Sequence, residues 1–230
     1  MPENQATYKS AQRVRRGTEK DLPRLMEVFR QAREIMRADG NTEQWAGEYP
    51  SQEVVLEDIR LGHCFVVEEP RLASSDERED NYAETSDERA AHEPGGNIVG
   101  VFAFIPGVEP TYDKIYEAQF TEGGTAPRLA EWLDDTLPYA TIHRLASTRD
   151  SRGVAQACFS WAWEQCRRLG SAPGQSPRPG AKAPLQYTLR VDTHADNHIM
   201  QHGIQKAGFT YCGIIYLADG SPRLAYQKLP

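Results

Sequence analysis

The chain has 230 residues, of which 39% are hydrophobic and 9% are aromatic, which is enough for one well-packed core. It contains no apolar run near the roughly 18 residues that a membrane span needs, and residues 1–12 lack the apolar stretch of a secretory signal. The four cysteines form no CxxC pair, which is typical of reduced thiols in a cytoplasmic protein and excludes a small disulfide scaffold.

The formal net charge of −7 resides in one segment of the chain. Residues 68–93 contain ten acidic and three basic residues, a balance of −7, so the remainder is neutral. A neutral body without a basic stripe is not typical of nucleic-acid binding. We therefore expect neither a nucleic acid nor a membrane as a partner.

The N-terminal part of the chain predicts a disordered tail over residues 1–11, then a short strand, QRVRRGT. Thr18 and Asp21 have the spacing of a capping box, and apolar residues recur after them at helical spacing. This pattern predicts a helix that begins at Thr18 and ends at Gly40.

A second predicted helix is capped by Ser51 and ends at Gly62, and the segments CFVVEE and NIVGVFAFIPG follow as the two strands of a hairpin. The hairpin strands are separated by a charged segment that is almost free of large apolar residues. A later segment is dominated by proline, glycine and serine. Because neither can bury enough apolar surface to order itself, we predict flexible insertions at about residues 70–96 and 171–186.

The second half of the chain alternates strands and helices: YATIHRLAS, VAQACFSWAWEQCRRLG, YTLRVDTH and HIMQHGIQKAG, followed by the strands FTYCGIIYL and PRLAYQKL. A strand–helix–strand unit favours adjacent parallel strands, and the last two strands form a hairpin. We therefore predict a mixed α/β sheet in one domain that spans residues 12–230.

The segment STRDSRGVAQA joins the first strand of that unit to its helix. Gly153 and Ala155 are small enough for a ligand to approach the backbone, and the free N–H groups of a helix start favour an anion such as a diphosphate. Arg149 and Arg152 add positive charge. The alternative is an ordinary strand–helix turn with solvated arginines.

This order of elements resembles the GNAT family of N-acetyltransferases, which bind acetyl-CoA through a Q/R-x-x-G-x-G/A loop. Gly153-Val154-Ala155 matches the end of that loop, whereas Asp150 stands at its first position. A second family pattern, N-x-x-A-x-x-x-Y-x-x-x-G-F, is matched in spacing from Asn197 to Phe209. The similarity extends over roughly residues 12–230 apart from the insertions, and is greatest to a bacterial subgroup of uncharacterised substrate.

The resemblance implies a mixed, mostly antiparallel central sheet with one parallel, splayed strand pair, flanked by helices. The splay leaves backbone N–H groups free for the thioester and pantetheine of acetyl-CoA, and the glycine loop holds its diphosphate. Carried onto this sequence, the implied cofactor-binding residues are Leu145, Ala146, Ser147, Arg152, Gly153, Val154, Ala155 and Asn197.

The family's usual general acid, a tyrosine, corresponds to Ile204, which cannot donate a proton. Either the thiolate leaves unaided or another group replaces the tyrosine. For the general base we consider His143 and His194, which lie on the two strands that are predicted to splay. Each has a structural alternative: His143 as a core or edge histidine, and His194 as a residue that fixes the following turn. Asp192 is a candidate substrate-binding residue that could also orient either imidazole. Its alternative role is to accept backbone hydrogen bonds.

The loop NTEQWAGEYP between the first two helices is the predicted cover of the acceptor pocket. Trp45 and Tyr49 could form an aromatic wall, with Glu43 or Glu48 to attract a cationic amine. The alternative is that the two aromatic residues only anchor the loop to the core. The segment PTYDKIYE is a candidate for the opposite wall.

Two further patterns concern metals and oligomers. His194, His198 and His202 recur every four residues, but His194 precedes the predicted helix, so we expect a solvated face and no metal site. Trp161 and Trp163 lie two apart on a predicted helix, so we expect only one of them in the core. The other is a candidate for the interface of a homodimer.

The sequence therefore favours an N-acetyltransferase that transfers acetyl from acetyl-CoA, as co-substrate, to a primary amine of a small molecule or peptide. Transfer would proceed by direct attack in a ternary complex. The alternative is a non-catalytic CoA-binding sensor with the same fold. A dinucleotide enzyme is disfavoured because no GxGxxG motif follows the first strand.

Overall fold

One mixed sheet organises the protein in the computed structural model, which describes residues 12–70, 96–119, 127–171 and 186–230. The predicted tail and nearly all of the two predicted insertions lie outside the described residues. The strands are β1 (Arg13–Arg16), β2 (Cys64–Glu69), β3 (Asn97–Pro106), β4 (Tyr139–Ser147), β5 (Thr188–Thr193), β6 (Thr210–Tyr216) and β7 (Pro222–Lys228). The helices are α1 (Leu22–Ala38), α2 (Gln52–Arg60), α3 (Val154–Gly170) and α4 (His198–Lys206).

The strands are ordered β1-β2-β3-β4-β5-β7-β6, and every neighbouring pair is antiparallel except β4 and β5, which are parallel. This arrangement confirms the mixed sheet, the β2–β3 and β6–β7 hairpins and the parallel pair that the sequence predicted. The crossover between β4 and β5 contains α3, as a parallel connection requires.

Helices cover both faces of the sheet. α1 and α2 pack on one face, where Val66 of β2 is fully buried. α3 and α4 pack on the other face, where Phe65 and Val67 of the same strand are buried. Because successive side chains of a strand point to opposite faces, a strand covered on both sides reads as the continuous apolar run CFVV.

The helix starts follow the predicted caps with one difference. Thr18 and Asp21 form the predicted capping box, but the box closes a short 3-10 turn, and α1 begins at Leu22. Pro23 occupies the first turn of α1, where its missing N–H removes no helical hydrogen bond. α2 begins as predicted, because the Ser51 hydroxyl accepts a hydrogen bond from the Val54 amide at 3.4 Å.

The described residues between β3 and β4, 107–119 and 127–138, contain no long element, yet they bury a small core of their own against the C-terminal hairpin. Tyr112 lies in a 3-10 turn and is buried, and Trp132 donates from Nε1 to the Tyr112 carbonyl at 3.1 Å. Both pack with Ile215 of β6 and Ala225 of β7. This segment therefore packs against β6, β7 and Tyr139 at the start of β4.

Trp161 and Trp163 both pack against the core, so the expectation that only one would do so is wrong. Trp161 packs on Phe65 with ring centroids 4.3 Å apart, and Trp163 lies under the Lys228 ammonium at 5.0 Å. The sheet supports α3 on both sides, since Trp161 packs on β2 and β3 and Trp163 lies beside Lys228 of β7. In the described parts of the chain, no helix is both long and apolar enough to cross a membrane.

Candidate active site

The parallel strands β4 and β5 separate halfway along their length. They are paired only from Tyr139↔Thr188 to Ile142↔Val191. Beyond that point β4 stays paired with β3 as far as Ser147. Its other edge therefore has no β5 partner from His143 onward, and backbone polar groups on that edge are left to bind something other than the sheet.

A bulge in β4 marks the point of separation. Two residues of β4, Arg144 and Leu145, oppose the single residue Phe102 of β3, and Arg144 has a left-handed φ of 53°. A residue other than glycine in this conformation costs of order 1–3 kcal/mol, which the surrounding structure must offset. A bulge of this kind bends its strand and increases the local twist, so β4 turns away from β5.

Asp58 of α2 holds the bulged residue. The Arg144 guanidinium donates two hydrogen bonds to the Asp58 carboxylate, from Nε and Nη2, both at 2.7 Å. Burial by itself would lower the pKa of Arg144, but the Asp58 charge and hydrogen bond raise it above its ordinary value. This bidentate pair ties the open half of β4 to α2.

A cavity of about 370 Å³ occupies the opening between the strands. Nine of the residues that the sequence predicted for the site line it: Trp45, Tyr49, His143, Leu145, Ala146, Ser147, Ala155, Asp192 and Asn197. Its walls thus come from the loop after α1, the open half of β4, the start of α3, the end of β5 and the start of α4.

His143 lies at the centre of a hydrogen-bonded group on the cavity wall. Its Nε2 is 3.1 Å from Oε2 of Glu109, and its Nδ1 is 3.9 Å from Oδ1 of Asp192. The same Asp192 oxygen accepts a hydrogen bond from the buried Tyr112 hydroxyl at 2.8 Å. The imidazole is therefore held between two carboxylates.

The ionisation of Glu109 follows from these contacts. The hydrogen bond with His143 lowers the pKa of Glu109 to about 2 from an ordinary value of 4.5, and the Thr111 amide and hydroxyl contribute further. Because an ionised carboxylate can only accept hydrogen bonds, the His143 Nε2 is the donor in this pair. Nδ1 is then the imidazole atom that can accept a proton.

His194 is placed differently from His143. It does not line the cavity, and its Nδ1 accepts a hydrogen bond from the Asp196 amide at 3.2 Å. Burial, with the nearby charge of Arg223, lowers the pKa of His194. These contacts correspond to the alternative in which His194 fixes the turn between β5 and α4.

Among the described residues, no cluster of histidine, cysteine and carboxylate side chains could hold a metal.

The remaining glycine-loop residues, Arg152, Gly153 and Val154, do not line the cavity themselves. Gly153 caps α3 with a left-handed φ of 79°, and Val154 is buried in the core. A side chain at Gly100 would lie 2.3 Å from Val154, so Gly100 lets the start of α3 approach β3 closely. The first N–H groups of α3 have no acceptor within the helix. Ala155, the second residue of α3, lines the cavity, so these groups lie at the cavity wall.

Asn197 joins the start of α4 to the loop after α1. Its side-chain oxygen caps α4 by accepting from the Met200 amide at 3.0 Å, and its Nδ2 donates to Gln44 at 2.7 Å. Trp45 of the same loop packs on Phe29 at 5.7 Å between ring centroids. Trp45 therefore both anchors the loop and lines the cavity, so the two interpretations of this aromatic residue are compatible.

Glu109, Arg144 and Arg223 line the cavity but carried no recognisable signal in the sequence. Glu109 lies in an irregular loop, 34 residues before the histidine it contacts. Arg144 and Arg223 lie in strands, where an arginine is usually solvated. Glu43 and Glu48, which we expected to attract an amine, do not line the cavity, and Asp39 does.

A sheet opened between two parallel neighbours, with a helix start at the mouth of the opening, is the architecture that the family resemblance implied. No protein-family model and no curated protein matches the chain. Among solved structures, a GNAT-family acetyltransferase from Streptococcus agalactiae is similar over 95% of both chains, with 28% identity and a TM-score of 0.64. A GNAT-family acetyltransferase from Listeria monocytogenes also matches over 95% of both chains, with 15% identity and a TM-score of 0.54.

The second of these likenesses shows the fold alone, and the first adds sequence similarity over the same length. The fold is the GNAT fold. This likeness confirms the fold that the sequence resemblance implied.

Proposed function

We propose that this protein transfers the acetyl group of acetyl-CoA to a primary amine of a small molecule or peptide, by direct attack in a ternary complex. The observation that carries the proposal is the position of the Glu109–His143–Asp192 group. It lies on the wall of the cavity that opens where β4 and β5 separate. Reactant alignment and proton removal would therefore occur in one place.

The residues around the opening fit acetyl-CoA. The unpaired edge of β4 over Leu145, Ala146 and Ser147 offers alternate backbone N–H groups for a thioester carbonyl and a pantetheine amide. A side chain added at Gly153 would meet no atom within 4 Å, so the start of α3 is open to a ligand, and its N–H groups favour a diphosphate. Arg152 adds a positive charge beside them. When bound, acetyl-CoA supplies the activated acetyl group.

Proton removal is assigned to His143. A free alkylamine has a pKa of roughly 10 and is mostly protonated near neutral pH, so attack requires that a base take a proton. Glu109 keeps a proton on Nε2 and leaves Nδ1 to accept one. The Asp192 carboxylate, 3.9 Å from Nδ1, stabilises the imidazolium that results.

The reaction forms the bond between the amine nitrogen and the acetyl carbon and breaks the bond between that carbon and sulfur. Ile204 is fully buried in the core, so the position of the family's tyrosine offers no proton to the departing sulfur. Tyr211, Cys212 and Tyr216, which follow it in the sequence, are not among the residues that line the cavity. We propose that the thiolate departs unaided, which is feasible for a thiol with a pKa of roughly 8.5.

The test combines a thiol-release assay, run with a panel of amines, and calorimetric measurement of acetyl-CoA binding. His143→Gln is expected to lower kcat by roughly 10²–10⁴-fold, the usual contribution of a general base, with acetyl-CoA affinity unchanged. His202→Ala, on the exposed face of α4, is the matched control and should behave like the unaltered protein. His194→Ala tests the other histidine, and a loss confined to His194→Ala would move the base there.

The competing function, a CoA-binding sensor, is favoured by the buried Ile204 at the tyrosine position and by the irregular glycine loop, with Asp150 at its first position. It makes a different prediction in the same assay. Binding of acetyl-CoA without thiol release for any amine would reject catalysis and favour the sensor.

A further inference from the structure

Arg223, the second residue of β7, carries a buried charge on the cavity wall. Its residue exposure is 5%, and its Nη1 donates to the neighbouring Pro222 carbonyl at 2.8 Å. Among the residues that the structure describes, no carboxylate oxygen lies within 4.0 Å of its guanidinium. The charge therefore faces the cavity without a counter-ion in contact.

Three other arginines with buried or half-buried side chains provide the comparison. Arg144 makes a bidentate pair with Asp58, and Arg15 binds Asp21 and Glu68, each at 2.8 Å. Arg190 is stacked between the rings of Trp132 and Tyr139, 4.0 Å from each centroid. Each of these charges is offset by a carboxylate or by aromatic faces, as buried charges normally are.

The surroundings of Arg223 suit the binding of an anion. Burial lowers its pKa, and the more distant charges of Asp192 and Asp219 act in the opposite direction. A guanidinium nonetheless stays protonated in proteins, so burial cannot discharge it. Its planar set of donors matches the two oxygens of a carboxylate or the oxygens of a phosphonate.

The register of the sheet places this cation close to the proposed amine site. Asp192 of β5 is directly opposite Ala225 of β7, and Arg223 lies two residues before Ala225 on the same face. Diagonal neighbours of this kind are roughly 7–8 Å apart along the sheet, and both residues line the same cavity. The cavity thus combines two carboxylates, Glu109 and Asp192, with the cation of Arg223.

We propose that the acceptor is a zwitterion, whose amine is held near His143, Glu109 and Asp192 and whose anionic oxyacid group, a carboxylate or a phosphonate, is bound by Arg223. The proposal rests on the proposed function for the position of the amine. It adds the chemical class of the acceptor: amino acids and aminoalkylphosphonates, as opposed to simple alkylamines or polyamines. Arg223 thereby acts as a specificity-determining residue.

The test compares matched acceptors of one chain length: an amino acid, its amide, the corresponding alkylamine and the aminoalkylphosphonate. Binding of each to the CoA-saturated protein is measured by calorimetry, and turnover is measured by thiol release. The unaltered protein should bind the acid or the phosphonate at least tenfold more tightly than the amide and the alkylamine. Whichever anion binds more tightly identifies the oxyacid.

The variants are Arg223→Gln, Arg223→Lys and the control Arg168→Gln, whose side chain is 68% exposed on α3. Arg223→Gln should weaken anionic acceptors by roughly 10–100-fold, the usual worth of a charged hydrogen-bonded pair, with little effect on the amide. Arg223→Lys should recover part of the loss.

Three outcomes would overturn the proposal: no preference for anionic amines in the binding measurement, equal losses for acid and amide in Arg223→Gln, or a loss of acetyl-CoA affinity instead. The last would assign Arg223 to the co-substrate. If anionic amines bind through Arg223 and no thiol is released, the acceptor class stands and the proposed acetyl transfer fails.

Discussion

The two halves of β4 belong to one strand and one sheet, yet only the first half is paired with β5. From Ala140 to Ile142 the strand is paired on both edges, and from His143 to Ser147 it is paired on one edge only. The apolar content of the two halves does not separate them, since Ala146 in the open half is as buried as Ile142 in the paired half. The difference lies in the bulge at Arg144.

This contrast shows how a stable sheet can hold an unpaired edge. The paired half has a strand on each edge, and both neighbouring strands contribute side chains to the core around α3. Its backbone therefore needs no further support. The open half is held instead from the side, by pairing with β3 and by the Arg144–Asp58 pair on α2. We expect substitutions in the two halves to separate stability from ligand binding.

The largest effect is expected for Asp58→Ala, which removes the support of the open half. It leaves the Arg144 guanidinium, 15% exposed at the side chain, without its bidentate partner. Removing one member of a buried ion pair costs about 3–5 kcal/mol, and chemical denaturation would measure it as a fall in the free energy of unfolding. Acetyl-CoA affinity should fall as well, because the bulge is no longer held.

Glu57→Ala, one residue earlier on the exposed side of α2, is the control and should change stability by less than about 0.5 kcal/mol. A loss below 1 kcal/mol in Asp58→Ala would contradict the role given to the pair.

A smaller and more selective effect is expected from a leucine-to-alanine change in each region. Leu189 of β5 is fully buried and pairs with Ala140 in the closed region, so Leu189→Ala should cost about 2–5 kcal/mol of unfolding free energy. Leu145 already borders the cavity, so Leu145→Ala should cost roughly 1–2 kcal/mol, because less apolar surface is withdrawn from the core.

Acetyl-CoA binding should show the reverse order, with the larger change in Leu145→Ala. Calorimetry and chemical denaturation on the same two variants provide the comparison. Equal losses of stability and equal binding would mean that the two regions do not differ in the way described.

The smallest expected effect is the pH dependence that Glu109 contributes beside the open half. Its folded pKa of about 2 lies below the ordinary value of 4.5, so the ionised form is favoured by folding. The stabilisation is therefore complete above pH 4.5 and is lost as the pH falls toward 2. Glu109→Gln should lose less unfolding free energy than the unaltered protein over this interval.

The comparison requires denaturation curves for both proteins across the acid range. Glu117→Gln is the matched control, since that carboxylate lies on the surface, 51% exposed at the side chain. Parallel acid profiles for Glu109→Gln and the unaltered protein would show that the contact with His143 does not persist in solution.

The sequence was most informative where one local pattern decides the structure. β4 and α3 have the bounds that the segments YATIHRLAS and VAQACFSWAWEQCRRLG predicted. Asn197 caps α4 as expected, because an asparagine there satisfies the helix start within three residues. The parallel pair followed from the strand–helix–strand order, and the splay followed from the resemblance.

The site was less accessible to the same reasoning. His143 was a candidate because it lies on a strand that was expected to splay, but nothing in the sequence connects it with Glu109. That contact depends on the β3–β4 register, which brings the loop after Pro106 back over the strand that carries His143. In the sequence, Arg223 has the features of an ordinary solvated strand residue. Its burial could not be predicted, because it depends on which residues cover β7.

By itself, then, the sequence determined the order of the elements, their caps and the sheet they build, since these depend on periodicities and on contacts within a few residues. Only the tertiary structure decided which half of β4 stays open, which histidine meets two carboxylates and which arginine is left without a partner. Those properties arise between residues 30 to 90 positions apart, such as Glu109 with His143 and Asp58 with Arg144. Strand register and the bulge set these distances, and no local pattern encodes them.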